Sequence, residues 1–192
     1  MRLFFGIFLP PTVHARAVEA SARARSAITD RSVRWVAAPQ LHVTLQFLGE
    51  LSEERASRAE EIAREIARGH APFRLRLRGL GAFPNARRPS VLWLGVGDGD
   101  ALHALAESLG AALATDGFSI EARAYHAHVT LARIKGPVGG RQVAALLAAE
   151  HPEAETDPFD VDAFALIESR PGPRGSEYVP RAQVSLTPAR GR

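Results

Sequence analysis

Short apolar stretches alternate along the chain with amphipathic ones, and the spacing of their apolar residues sorts them into strands and helices. Met1 to Leu9 is an apolar run closed by Pro10-Pro11, which reads as a first strand. Val13 to Ile28 reads as a helix of alanine and arginine, opened by Pro10-Pro11-Thr12. A short strand at Val33–Val36 leads through Pro39 to a longer one at Leu41–Leu48, ended by Gly49. Ser52 then caps a helix whose first turn carries Glu53 and Glu54, favourable against the helix dipole. Ala59, Ile62, Ala63, Ile66 and Ala67 keep helical spacing up to Gly69. From Phe73 the period changes to two, with Leu75 and Leu77 on one face and Arg74, Arg76 and Arg78 on the other. Phe83–Pro89 reads as a loop and Val91–Val96 as a buried strand around Trp93. Leu102, Leu105, Ala106, Leu109 and Leu113 mark a third helix, entered near Asp98 or Asp100 and stopped by Gly117. Tyr125–Ile134 reads as a strand, and Gly139-Gly140 precede a fourth helix with Val143, Leu146 and Leu147 inward, closed by Pro152. Strands at Phe159–Ile167 and Glu177–Leu186, parted by a turn at Arg170–Gly175, complete the pattern. Helices and strands mix without a strict βαβ rhythm, so the expected class is α+β, with antiparallel sheets carrying helices on their outer faces.

The pattern repeats. Leu41-His42-Val43-Thr44-Leu45 and Ala127-His128-Val129-Thr130-Leu131 share His-Val-Thr-Leu, with the histidines 86 positions apart. In both halves a Pro-Phe pair opens an alternating run, and its phenylalanine, Phe73 or Phe159, lies 31 positions after the motif histidine. A helical stretch separates motif from Pro-Phe each time. The simplest account is an internal repeat: one domain over residues 1–192 made of two interleaved lobes, with repeat cores around 41–80 and 127–166 and a cleft between the sheets. Alternation along a strand puts His42 and Thr44 on one face and Val43 and Leu45 on the other. His128 and Thr130 stand likewise against Val129 and Leu131. Two imidazoles and two hydroxyls can therefore line one pseudo-symmetric cleft.

Composition narrows the chemistry. The chain has 192 residues and no cysteine, which excludes disulfides, thiolate nucleophiles and zinc sites built on thiolates. The opening apolar run is too short for a membrane span and lacks a cleavage site, so a cytoplasmic, monomeric protein without membrane contact is expected. Of 24 basic residues only Lys135 is lysine, within a net charge of +3. Arginine suits phosphate because its planar fork holds two oxygens at once, although compositional bias produces the same excess.

Two imidazoles with ordinary pKa values near 6.5 can hold one protonated and one neutral member around neutral pH. In-line displacement at phosphorus asks for such a pair, and the two threonine hydroxyls could hold the non-bridging oxygens. No metal or other cofactor is required. His126 and His128 also form a His-x-His pair, a familiar metal-ligand spacing, and are the alternative constellation. His14, His70, His103 and His151 lack partners in the pattern.

The chain resembles the two-histidine (2H) phosphoesterases, and within them the RNA 2′,3′-cyclic phosphodiesterases, also called 2′-5′ RNA ligases. The matching segments are Arg2-Leu3-Phe4-Phe5 with Leu9-Pro10, Leu41 to Gly49, Val91-Leu92-Trp93-Leu94-Gly95, His128 to Arg133, and Tyr178. Ala127 stands where that family usually has proline, and Gln183 lies near a position it usually fills with an aromatic. The resemblance implies a bilobal fold and hydrolysis of 2′,3′-cyclic phosphate ends to 2′-phosphomonoesters, with His42 as proton donor, His128 as proton acceptor and Thr44 and Thr130 on the phosphate. Arg133, His126, Tyr178, Arg87 and Arg88 are further expected substrate contacts. Arg133 meets that expectation only if a bulge or twist breaks the alternation from His128. The rival expectations are a phosphodiesterase acting on a small cyclic nucleotide or a cyclic derivative of ADP-ribose, and a non-catalytic module that binds RNA ends.

Overall fold

The two His-Val-Thr-Leu segments meet at the middle of a single sheet. The computed structural model describes residues 1–121, 123–149, 154–172 and 175–187. Its elements are β1 (Arg2–Phe8), α1 (Pro11–Ala27), β2 (Val33–Trp35), a 3-10 turn (Ala38–Gln40), β3 (His42–Glu50), α2 (Glu53–Ala67) and β4 (Phe73–Phe83). They continue with β5 (Val91–Gly97), α3 (Asp100–Thr115), β6 (His128–Ile134), α4 (Pro137–Leu147), β7 (Phe159–Val161), β8 (Ala163–Gly172) and β9 (Gly175–Ser185). Every strand pairing is antiparallel, in the order β7-β4-β5-β6-β3-β1-β8-β9, with β2 added to β6.

This order divides into two four-strand halves at the β6–β3 junction, and the junction is one residue pair, Val43 with Val129. Each valine directly follows a motif histidine, so exchanging the halves maps the junction onto itself. The repeating unit runs β1-α1-β3-α2-β4 in the first part of the chain and β5-α3-β6-α4-β8 in the second. Each unit gives its last strand to the other half: β4 lies beside β5, and β8 beside β1. The strands of the two units are interleaved in the sheet for this reason. A further equivalence becomes visible: Leu3-Phe4-Phe5-Gly6-Ile7 of β1 corresponds to Leu92-Trp93-Leu94-Gly95-Val96 of β5.

Burial follows the strand period. Val43, Val129 and Leu131 are fully buried and Leu45 nearly so, packed in one cluster with Leu102, Leu105, Leu109 and Leu113 of α3. Each such side chain contributes about 2 kcal/mol of transfer free energy, which holds the motif strands against the helical layer. A separate small cluster of Phe4, Ala165, Ile167 and Tyr178 lies apart from that core.

Several boundaries differ from the sequence pattern. β3 passes through Gly49, whose positive φ of 72° its missing Cβ permits, and continues to Glu50. Phe83 belongs to β4, because it pairs with Val91. The second motif strand begins at His128 instead of Tyr125. Gly139 and Gly140 lie inside α4, which starts at Pro137. A Cβ on Gly139 would stand 2.6 Å from Val33, so the helix needs glycine there to approach β2. The strand expected from Phe159 breaks at Asp162 into β7, which pairs with β4, and β8, which pairs with β1. Pairing of β8 with β9 runs out to Gly172 and Gly175, taking in most of the expected turn. Pro152 and His151 lie outside the described residues. Ser52 caps α2 as expected, accepting from the Arg55 N–H at 3.3 Å.

Candidate active site

Because Val43 and Val129 point into the core, their neighbours on both strands point to the opposite face. An antiparallel register centred on that pair sets position 42 against 130 and position 44 against 128. His42, Thr44, His128 and Thr130 thus form a cross-strand quartet on one face, each of them partly exposed. Tyr125 reinforces the single-pair junction by donating its hydroxyl to the Thr44 carbonyl at 2.9 Å.

The two imidazoles are held by the same local device. His42 Nδ1 donates to the Gln40 carbonyl at 2.6 Å, and His128 Nδ1 donates to the His126 carbonyl at 2.7 Å. A carbonyl can only accept, so each Nδ1 carries the proton and each Nε2 is left to exchange one. Nε2 of His42 also meets Thr44 Oγ1 at 2.9 Å. Among the described residues no such bond joins His128 to Thr130. Burial lowers both imidazole pKa values below 6.5, against the raising effect of each Nδ1 bond. The charge of His128 depresses His42 further, and those of His126 and Arg133 depress His128.

An aromatic wall stands behind each histidine. Phe4 and Tyr178 lie with ring centroids 4.8 and 5.0 Å from His42, and Phe83 and Trp93 at 5.0 and 6.4 Å from His128. Trp93 lies flat over Gly81, where any Cβ would collide with its ring.

The expected contacts separate into two groups. Arg133 joins the quartet's face. Trp93 pairs with Thr130 and Leu92 with Ala132, so Leu131 is an extra residue in β6. Leu131 and Ala132 are both buried, and the alternation restarts with Arg133 outward, its charge felt by His128 and Tyr178. Tyr178 is in place against His42, its hydroxyl pKa raised by burial. His126 packs at 4.9 Å on Trp93 and 5.2 Å on Phe83, at the rim. Among the described residues no three His, Cys, Asp or Glu side chains gather in a ligand set. Arg87 and Arg88 lie in the β4–β5 loop, away from the quartet.

Phe4, Phe83, Trp93, Tyr125 and Gln40 were not among the expected site residues. The match of Leu3-Phe4-Phe5-Gly6-Ile7 to Leu92-Trp93-Leu94-Gly95-Val96 was a readable signal for Phe4 and Trp93. Tyr125 and Gln40 gave none, since they act through a cross-strand bond and a main-chain carbonyl. Two imidazoles with exchangeable Nε2 atoms, and hydroxyls between them, can move protons on opposite sides of one bound anion.

Known proteins resemble this chain in sequence and fold. The 2′-5′ RNA ligase superfamily model matches residues 10–173. An RNA 2′,3′-cyclic phosphodiesterase of Thermus thermophilus is 37% identical over 198 residues, covering 100% of this chain and 93% of its own. One of Methanothermobacter thermautotrophicus is 36% identical, over 78% of this chain and 80% of its own. Among solved structures, the protein TT0787 of Thermus thermophilus superposes with a TM-score of 0.79 at 34% identity, covering 99% of this chain and all of that one. E. coli LigT complexed with 3′-AMP gives a TM-score of 0.76 at 29% identity, covering 97% and 98%. No helix of the described residues is long and apolar enough to cross a membrane. With a family model spanning most of its length and the repeated His-x-Thr strands paired at its centre, the chain belongs to the 2′-5′ RNA ligase superfamily.

Proposed function

We propose that the chain hydrolyses 2′,3′-cyclic phosphate ends of RNA to 2′-phosphomonoesters, with His42 as general acid and His128 as general base. The observation that carries this reading is the quartet itself: two Nε2 atoms and two hydroxyls related by the sheet's pseudo-twofold on one open face. Water attacks phosphorus while His128 Nε2 takes its proton. The bond from phosphorus to O3′ breaks, and His42 Nε2–H delivers a proton to the departing oxygen. The product carries a free 3′-hydroxyl and a 2′-phosphate. Thr44 and Thr130 hold the non-bridging oxygens as charge builds on them. Arg133 adds a fixed positive charge, while Tyr178 and His126 border the bound end.

The pKa directions explain how the acid acquires its proton. Burial holds both imidazoles below 6.5, so in the free protein the neutral form is favoured at pH 7. A phosphate anion within about 4–6 Å favours the cationic form, so the substrate itself restores the proton on His42. Acid, base and phosphate donors are all side chains of one chain. The reading is accordingly of a metal-independent monomer, one domain with its site between interleaved lobes.

Purified protein incubated with a cyclic-phosphate-ended oligonucleotide in excess EDTA should release a 2′-phosphomonoester. A 3′-phosphate product, or activity lost to EDTA and restored by zinc, would overturn the assignment.

A further inference from the structure

The molecule's arginine clusters differ in how they are neutralised. Along β4, Arg76 meets Asp98 at 2.6 Å and Glu155 at 3.5 Å, and Arg74 meets Asp160 at 3.5 Å. On α2, Arg55 and Arg58 share Asp116, and Arg64 holds Glu60. The ion pairs of the described residues leave out Arg87, Arg88, Lys135 and Arg141. These four, from two segments distant in sequence, line one open pocket of about 460 Å³ with Pro89 and Gly140. Of the four, Arg141 comes within electrostatic reach of the Asp30 carboxylate, which the Ser32 N–H already holds at 2.7 Å.

The fold builds this concentration of charge. The Ile134 N–H donates to the Ser90 carbonyl at 2.8 Å, closing the end of β6 against the end of the β4–β5 loop. Asn85 Oδ1 accepts from the Arg87 and Arg88 N–H groups at 3.0 and 3.1 Å, fixing the loop's course. The pocket lies along the same strands as the quartet's second half, at their far end. Phe83, whose ring touches His128, is the last residue before the loop, and Arg133 stands on β6 between His128 and Lys135. Six strand residues at about 3.3 Å each carry the chain about 20 Å from His128 to Ile134.

We propose that this pocket binds the phosphodiester backbone of the RNA strand upstream of the cyclic end, which rests on the reading of the quartet as acting on RNA ends. The cyclic phosphate is the 3′ terminus, so the rest of the strand must leave the quartet in the 5′ direction. A stacked strand advances about 3.4 Å per nucleotide and an extended one about twice that, so the pocket meets phosphates roughly three to six nucleotides upstream. Exposed unpaired cations suit this ligand because each phosphate they neutralise releases counterions from the strand. A cyclic mononucleotide or dinucleotide is too short to reach it. The substrate class thereby becomes RNA of several nucleotides.

The test compares a cyclic-phosphate-ended dinucleotide with one of about twelve nucleotides, long enough to span both sites. The variant combines Arg87→Gln, Arg88→Gln, Lys135→Gln and Arg141→Gln, and the control combines Arg74→Gln with Arg76→Gln. Wild-type protein should favour the longer substrate in kcat/KM, and the variant should lose about tenfold or more of that preference, the contribution of one charge-assisted hydrogen bond. The slope of log Kd against log salt for the longer strand should flatten by about 0.7 for each phosphate no longer neutralised, and the control should keep it. Equal use of both lengths by the wild type, an unchanged slope in the variant, or equal flattening in the control would overturn the proposal. Binding to a 3′-phosphate-ended strand is measured alongside turnover, which separates the two readings. Cluster-dependent binding without hydrolysis sinks the proposed reaction and leaves the pocket, whereas hydrolysis with cluster-independent binding does the reverse.

Discussion

The half of the sheet around His42 and the half around His128 have the same skeleton and different surroundings. Each histidine follows the same Nδ1-to-carbonyl device, precedes the same valine and stands before an aromatic pair. Each motif strand also carries a bulge at the same repeat position, Leu45 in β3 and Leu131 in β6. Beyond the bulge the copies part. The residue restored to the open face is Phe47 in one, 51% exposed and 6.0 Å from Phe4, and Arg133 in the other. His42 is bonded to Thr44 within an aromatic setting, whereas His128 is flanked by His126 and Arg133. Duplication supplies two equivalent imidazoles, and in the proposed reaction their different neighbours divide the labour. Cationic neighbours disfavour a second positive charge on His128, which suits a base that must be neutral. On the proposed reading, Phe47 and Tyr178, which keep exposed area on the His42 side, are the faces on which a base can stack.

Removing either imidazole is the largest way to break this comparison. His42→Ala and His128→Ala should each lower turnover by roughly two to four orders of magnitude. A substrate whose leaving group needs no protonation should restore His42→Ala and leave His128→Ala slow. Rescue of the His128 variant instead would exchange the roles, and near-normal turnover of both would end the two-histidine mechanism.

The threonines come next. Losing one donor to developing charge costs about 10²–10³ in kcat, so Thr44→Val and Thr130→Val should both be slow. Thr44 bonds its histidine, whereas among the described residues no such bond joins Thr130 to His128, so Thr44→Val alone should also displace the alkaline limb of the pH–rate profile. Equal displacement in both variants would show that the 2.9 Å hydrogen bond has no bearing on proton transfer.

The pH dependence sharpens the contrast further. Both lowered values place the limbs of the kcat/KM profile, which report the free enzyme, below the ordinary 6.5; the kcat profile should lie higher because bound phosphate favours the imidazolium. Arg133→Gln removes a charge that depresses His128, so its acid limb should rise toward 6.5 while the His42 limb holds still. Coincident kcat and kcat/KM profiles would contradict the idea that substrate recharges the acid.

The smallest effect concerns the seam between the halves. Tyr125→Phe removes the hydroxyl that reaches Thr44 and should cost about 1 kcal/mol in denaturant unfolding, with a modest loss of rate. A larger fall in rate than in stability would assign Tyr125 to holding the quartet in register.

Much of this was legible from the chain because strand alternation is local. His42 and Thr44 had to share a face once their strand was assigned, and a second copy 86 residues on had to do likewise. The helices were legible for the same reason, as Ser52 capping α2 illustrates. Gly139 inside α4 and the break at Asp162 were not, since a close approach to Val33 and a change of pairing partner are long-range facts.

The sequence by itself determined the repeat, the histidine and threonine pairs, and the apolar residues that anchor their strands, because periodicity and spacing are properties of neighbouring residues. Only the tertiary structure decided that the two strands join through Val43 and Val129, that a bulge turns Arg133 toward His128, and that Arg87, Arg88, Lys135 and Arg141, from two distant segments, line one pocket. The arginine stripe of β4 and the pair at Arg87 and Arg88 look alike in sequence. Asp98, Glu155 and Asp160, brought to Arg74 and Arg76 of the stripe from other segments, distinguish them, because the folded chain decides which charges meet.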